Sequence, residues 1–317
     1  MISIVIPLYN KEHTIQRTLG SVLAQTYQDF EIVIVNDGST DNGSTAITEY
    51  TKDERVRIID QPNQGVSVAR NQGVLHAKNN YIAFLDGDDE WLPTYLECMY
   101  QAILKYPNAG MICSAGKVRS GGHEHIRLAK KYDGLITEID FFHNPHVFLH
   151  TSATVVSKKA FNLTQGFPVG MKRNQDFALF FSLALITQVV YCGFPLSIYV
   201  GDVEGQATAK PFNEVMSHVI NRYNLVYSTW ESKAASNKSF IIFMKYELRH
   251  TFLSMIKNKD YTTLTNFMEG LENGIEKKFS TWEWSMFKKQ SFKILAIFFI
   301  YATKIRWRMR DYPIVQS

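Results

Sequence analysis

Asp86, Asp88, Asp89 and Glu90 put four carboxylates within five positions, directly after the apolar run Tyr81-Ile82-Ala83-Phe84-Leu85. Like charges at that spacing repel, so a compact chain gathers them only where something offsets the repulsion. Hard carboxylate oxygens beside a turn-permitting glycine, Gly87, suit Mg²⁺ or Mn²⁺ carrying a diphosphate. A solvated acidic turn is the plainer alternative. The apolar run reads as a buried strand, which sets the acids at the carboxyl edge of an α/β sheet, where open sheets bind ligands.

The elements that must position this turn come earlier in the chain. Ile2-Ser3-Ile4-Val5-Ile6 is short, β-branched and continuous, the pattern of a buried parallel strand ending at Pro7. A helix begins at Asn10 or Thr14, with Ile15, Leu19, Val22 and Leu23 on its apolar face. Strands over 30–35 and 56–59 and a helix over about 65–77 follow. Alternation of this kind predicts a parallel sheet with right-handed crossovers. Asp37, Asp60 and Asp86 each follow a predicted strand, so they should share one sheet edge. There Asp37 could accept from a base N–H or a ribose hydroxyl, or could form an Asx-turn capping the next helix. No G-x-G-x-x-G or G-x-x-x-x-G-K follows the first strand, which leaves the acidic turn with its cation to hold phosphates.

Four segments carry a resemblance in the same order: Ser3-Ile4-Val5-Ile6-Pro7-Leu8-Tyr9-Asn10, Ile34-Val35-Asn36-Asp37-Gly38-Ser39-Thr40-Asp41, residues 63–73 and residues 85–93. Together they resemble the opening motifs of family 2 glycosyltransferases of the GT-A fold. The resemblance implies a mostly parallel, Rossmann-like α/β sheet flanked by helices and an inverting, nucleotide-sugar-dependent transfer. It also implies that Pro7, Tyr9 and Asn10 edge the nucleotide pocket, that Asp37 contacts the base, and that Arg70 and Asn71 line the donor site. Asp86 would meet the ribose or the metal-bound diphosphate, and Asp88 would ligate Mn²⁺ or Mg²⁺. The donor implied by the resemblance is a nucleoside-diphosphate sugar, with UDP as the default nucleotide. Arg70 read alone could equally form a surface ion pair.

Further on, a helix over 95–106 and a strand over 109–114 precede a polar stretch, 116–134, read as a glycine-rich loop holding His123 and His125. His143, His146 and His150 lie in an aromatic segment and are read as structural. Residues 151–156 look like a strand and 158–163 like a short helix. At Arg173-Asn174-Gln175-Asp176 the family carries an acidic pair opening a helix, and its second acid is the usual general base. Asp176 matches that acid, while Gln175 replaces the first. A carboxylate in a helix's first turn, favoured by the helix dipole, is the alternative for Asp176. Closing strands are expected over 189–192 and 197–200. No histidine occurs between 151 and 217 to supply a further metal ligand from the loop that follows.

After Pro211 the pattern turns helical, over about 211–231, 238–257, 261–273 and from 281 onward. The expected division is a catalytic body over 1–205 and a helical extension over 206–317. Net charge is +4 over 317 residues, but residues 1–205 carry 17 basic and 21 acidic side chains and residues 206–317 carry 17 and 9. The basic extension calls for a partner or a surface. Within 291–310 the apolar run Ile294–Ala302 is too short to span a bilayer, yet it is followed by Lys304, Arg306, Trp307, Arg308 and Arg310. That pattern suits an interfacial membrane contact, or a helix covered by the catalytic body or by a second copy of the chain.

A composition of 45% hydrophobic and 20% charged residues is that of an ordinary globular protein. Three dispersed cysteines argue against a disulfide frame, and only Met1 precedes the first strand, so a cytoplasmic setting without a signal peptide is expected. The expected acceptor is a carbohydrate or lipid-linked glycan, with no role for nucleic acid. Two other classes remain. A sugar nucleotidyltransferase would want a glycine-rich basic loop after the first strand, where this chain has Pro-Leu-Tyr-Asn-Lys-Glu. A nucleotide-sugar or carbohydrate-binding protein without turnover would keep the pocket, and Gln175 gives it weight.

Overall fold

The computed structural model describes residues 1–201 and 212–279, together with residues 295, 297–299, 301, 302, 305 and 309. The chain divides into two compact units, Met1–Ile139 with Val147–Thr208, and Asp140–His146 with Ala209–Ser317.

In the first unit, β1 (Ile2–Leu8), β2 (Phe30–Asp37), β3 (Val56–Gln61) and β4 (Tyr81–Phe84) lie parallel in the order β3-β2-β1-β4. The connections carry α1 (Ile15–Leu23), α2 (Gly43–Ala46) and α3 (Val66–His76). Successive side chains of a strand point to opposite faces, so a central strand covered on both sides must be apolar throughout. Ile2, Ile4, Ile6 and Leu8 accordingly share a cluster with Ile15, Leu19 and Val22 of α1. On the other face Val33 and Val35 pack with Ala69 of α3. Helix α3 also comes so close to β1 that a Cβ on Gly73 would stand 2.3 Å from Val5 Cγ1.

The rest of the unit comprises β5 (Glu90–Trp91), α4 (Tyr95–Lys105), β6 (Ala109–Ser120), β7 (His123–Arg127), β8 (Ile136–Glu138), α5 (Pro145–Phe148, whose first two residues belong to the second unit), β9 (Thr154–Ser157), α6 (Lys158–Phe161), α7 (Gln175–Ile186) and β10 (Gln188–Val200). The sheet continues β4-β9-β6-β10-β5, with β9 antiparallel to both neighbours and β10 parallel to β6. The sheet is therefore mixed beyond β4, while the strands whose alternation with helices suggested parallel pairing, β1 to β4, are parallel.

Three local expectations are corrected. The polar stretch after residue 116 is a hairpin, β6 to β7, turning at Gly121 and Gly122 with φ of 58° and 75°. His123 and His125 are exposed on β7, and a strand solvated on both faces leaves no apolar alternation to read. Residues 151–153 form a 3₁₀ turn before β9 instead of its first half. The two closing strands are one, β10, whose register on β6 shifts between Cys192 and Ser197. Pro195 lies in that interval and has no N–H to give the ladder.

The second unit contains α8 (Phe212–Lys233), α9 (Lys238–Lys257), α10 (Tyr261–Gly270) and α11 (Asn273–Phe279). Its core includes Phe142, Trp230, Phe240 and Phe279. Glu247 is buried there, accepting from Arg222 Nη2 at 3.1 Å and Tyr223 Oη at 2.9 Å and paired with His146. Burial pushes the Glu247 carboxyl up, but His146 and Arg222 outweigh it and hold it well below the ordinary range. His146 is thus structural, as its aromatic surroundings suggested. The expected helix from 281 onward falls outside the described residues apart from isolated positions between 295 and 309.

Candidate active site

The carboxyl ends of the parallel strands bring the motif residues to one edge. Pairing of Leu8 with Asn36, Asn36 with Asp60, and Asp37 with Gln61 aligns the ends of β1, β2 and β3, and Asp86 follows β4 beside them. Asp37 and Asp60 lie inside their strands, each of which runs two residues longer than its apolar core.

The acidic turn is held by α1. Thr14, at the helix N-cap, makes no capping bond; its hydroxyl donates to the Gly87 carbonyl at 2.7 Å. Three and four positions on, along the same face, Arg17 Nη2 donates to the Asp88 carbonyl at 2.9 Å and Thr18 Oγ1 to the Asp89 carbonyl at 2.8 Å. Three successive carbonyls are thereby anchored, which fixes where the four carboxylates point.

Each carboxylate has its own compensation. Asp86 pairs with Arg70, whose side chain is 4% exposed. Asp88 pairs with Lys11 at 2.5 Å. Glu90 meets Arg17 at 2.9 Å and Arg119 at 2.8 Å. Asp89 is buried instead, accepting from the Val200 amide at 3.0 Å and from the Ser152 hydroxyl, with His150 Nε2 3.5 Å away. Burial, then the Asp86 and Asp88 carboxylates, push its carboxyl well above the ordinary range. Burial, then Arg127, push the His150 imidazole down to about 4.

Ser152 also accepts from the Asp86 amide at 3.1 Å, and its neighbour Thr151 donates to Asp176 Oδ2 at 3.3 Å. The 3₁₀ turn at 151–153 thus links the acidic turn to Asp176 through adjacent residues. Asp176 opens α7, with Oδ1 held by the Phe177 amide at 2.9 Å, and it is half-buried. The preceding Asn174 is left-handed (φ 62°), and Gln175 is buried with its Oε1 unpartnered among the described residues.

The other predicted residues fall into two groups. Tyr9 is exposed and Pro7 half-exposed at the end of β1. Arg70 keeps Nε and Nη1 without partners among the described residues, its guanidinium 5.1 Å from the Phe167 ring centroid. Asn10, Asn71 and Asp37 are engaged with backbone. Asn10 Oδ1 accepts from the Thr40 amide at 2.9 Å. The Asn71 amide clamps Phe167, donating to its carbonyl at 2.8 Å and accepting from its N–H at 2.9 Å. Asp37 accepts from Gln61 Nε2 at 2.6 Å and from the Gln64 and Gly65 amides at 2.9 and 2.8 Å, where α3 begins. These are bonds across the sheet edge to the loop before α3, not an Asx-turn at α2, the helix that follows Asp37 in the chain.

Sequence reasoning missed Lys11, Thr151 and Ser152. Lys11 stands one position past the motif ending at Asn10, and Thr151 and Ser152 sat inside a β-like run. For a divalent ion, Asp86 and Asp88 offer two hard carboxylates, a donor set that suits Mg²⁺ or Mn²⁺ shared with substrate phosphates. No group of three or more His, Cys, Asp or Glu side chains among the described residues could hold a metal by itself.

Comparison with known proteins gives a match to the profile described as Glycosyl transferase family 2 over residues 3–163. Glycosyltransferase GlyA of Streptococcus pneumoniae is 34% identical over 147 residues, 45% of this chain and 21% of that one. UDP-Glc:alpha-D-GlcNAc-diphosphoundecaprenol beta-1,3-glucosyltransferase WfgD of Escherichia coli is 38% identical over 106 residues, 33% of this chain and 42% of that one. The chain therefore spans less than half the length of these two relatives. The crystal structure of S. aureus TarS in complex with UDP-GlcNAc superposes with a TM-score of 0.64 at 16% identity, over 97% of this chain and 91% of that one. That likeness shows a shared GT-A-like fold.

Proposed function

The chain belongs to glycosyltransferase family 2, and from that membership we propose that it moves a sugar from a UDP-sugar to a hydroxyl of a glycan acceptor, inverting the anomeric carbon. The observation that carries this reading is the 151–152 turn, which joins Asp176 to the Asp86–Asp89 turn. Asp176 takes the proton from the acceptor hydroxyl. The hydroxyl oxygen then bonds to the anomeric carbon, and the bond to the diphosphate breaks with its electron pair leaving on UDP. Asp86 and Asp88 would hold Mn²⁺ or Mg²⁺, which when bound supplies Lewis-acid neutralisation of the leaving diphosphate. Tyr9 is exposed at the strand edge, which supports a nucleotide lying across Pro7, Tyr9, Asn10, Asp37 and Arg70.

The catalytic body in this reading is residues 1–205, and the helical extension 206–317 meets the acceptor or its surface. WfgD's name describes a diphosphoundecaprenol-linked acceptor, which supports a lipid-linked glycan here. Among the described residues no helix is long and apolar enough to cross a membrane. Phe298 and Tyr301 are exposed beside the basic run at 304–310, which supports contact with the inner face of the cell membrane. The test is a panel of nucleotide sugars, with and without Mn²⁺, scored by thermal shift and by UDP release. A true donor raises the melting temperature by mass action and releases UDP. Stabilisation without release would make the chain a binder, and no stabilisation by any member would overturn the reading.

A further inference from the structure

We infer that Lys11 is an exchangeable counter-cation: it neutralises Asp88 in the free protein and transfers to the donor's diphosphate when donor and divalent ion bind. The inference rests on the donor reading above and adds a residue that the motif resemblance does not assign. Three observations carry it. Lys11 Nζ lies 2.5 Å from Asp88 Oδ2, with the two side chains 21% and 13% exposed, so the pair is sheltered but open at one side. The Lys11 backbone is fixed, because its carbonyl accepts from the Thr14 and Ile15 amides at 3.0 Å each where α1 begins. Its stem crosses the acidic turn, since a Cβ on Gly87 would stand 3.5 Å from Lys11 Cγ. A fixed backbone with a long, rotatable stem leaves the ammonium as the part free to move, with a reach that includes the mouth of the turn.

The consequence is competition. An ammonium 2.5 Å from Asp88 Oδ2 occupies one side of that carboxylate and repels a divalent ion approaching it, so the two cations oppose each other there. Arg70 is a poor candidate for the same exchange, being 4% exposed and stacked against Phe167. Free Asp88 would attract divalent ions whether or not a donor were present. Lys11 suppresses that attraction until a diphosphate offers the ammonium a second anionic partner. Donor and ion should therefore bind together, with Lys11 moving from carboxylate to phosphate oxygen as they do.

The experiment uses the whole chain with MnCl₂ and UDP as probes, followed by Mn²⁺ electron paramagnetic resonance and calorimetry. Without nucleotide, Lys11→Met should bind Mn²⁺ about tenfold more tightly than wild type, the loss of one sheltered pairing. In EDTA the same variant should bind UDP about tenfold more weakly. Lys11→Arg should restore both, and Lys11→Gln serves as a second neutral variant should Met disturb folding. Unchanged or weaker Mn²⁺ binding by both neutral variants, with wild type still taking up Mn²⁺ alongside UDP, overturns this inference and leaves the donor reading standing. Absence of Mn²⁺ binding by every form, with or without UDP, removes the metal assignment and this inference together.

Discussion

Replacing Asp176 by Asn tests the base assignment with little disturbance to the structure. The amide is nearly isosteric, its oxygen can keep the Phe177 N–H now accepted at 2.9 Å, and its NH₂ can donate to Thr151 Oγ1, 3.3 Å away. Neither contact is with the acidic turn, so donor binding should survive. What disappears is a proton acceptor, and a positioned base contributes about 10²–10⁴-fold. Turnover should therefore fall by that factor, about 2.7–5.4 kcal/mol of barrier, while the Kd for UDP stays put. The assay is UDP release under saturating donor and acceptor, paired with calorimetry on UDP. Thr151→Val is the companion: it removes the hydroxyl that orients the carboxylate and should lower kcat by about tenfold. A kcat for Asp176→Asn within about threefold of wild type would refute base catalysis by this residue. Loss of UDP binding would mean that the carboxylate serves the donor instead.

Asn71→Ala should cost about 1–3 kcal/mol in urea unfolding, because the buried Phe167 amide and carbonyl lose their partners. It should also lower kcat, by loosening the segment before Asp176, without weakening UDP binding; weaker UDP binding would return Asn71 to the donor wall. Glu247→Ala should destabilise the protein by about 3–5 kcal/mol, since Arg222 is left buried without its carboxylate. The Glu247 carboxyl lies below its ordinary value in the folded protein. Its contribution is complete above the unfolded pKa of about 4.3 and is lost as pH falls below that. Urea midpoints of Glu247→Gln from pH 7 down to 3 should therefore decline less steeply than wild type, and parallel curves would refute the assignment.

What the sequence made legible follows from which interactions are local. The parallel half of the sheet could be read because β1 and β2 are buried on both faces, and continuous apolar runs ending in polar residues are what such strands require. That logic also delivered Asp37, Asp60 and Asp86 to one edge, since parallel strands end together. The second half obeys no such rule. Strand β9 enters antiparallel between β4 and β6, and β7 is solvated, so neither announces its pairing through hydrophobic period.

The candidate site divides along the same line. Carboxylates crowd together in sequence and draw attention, whereas the groups that make the crowding tolerable arrive from far along the chain. Lys11 is 77 residues from Asp88, Arg70 is 16 from Asp86, and Ser152 is 63 from Asp89. Each of these looks unremarkable in its own segment, and only the fold assigns it a charge to answer. The acidic turn can therefore be understood as a balanced assembly: α1 fixes its carbonyls, three of its carboxylates face cations, and the fourth is buried and pushed toward its neutral form. Any ligand that acts there must displace one of those compensations, and the pair with the most exposed cation among the two at Asp86 and Asp88 is Lys11 with Asp88.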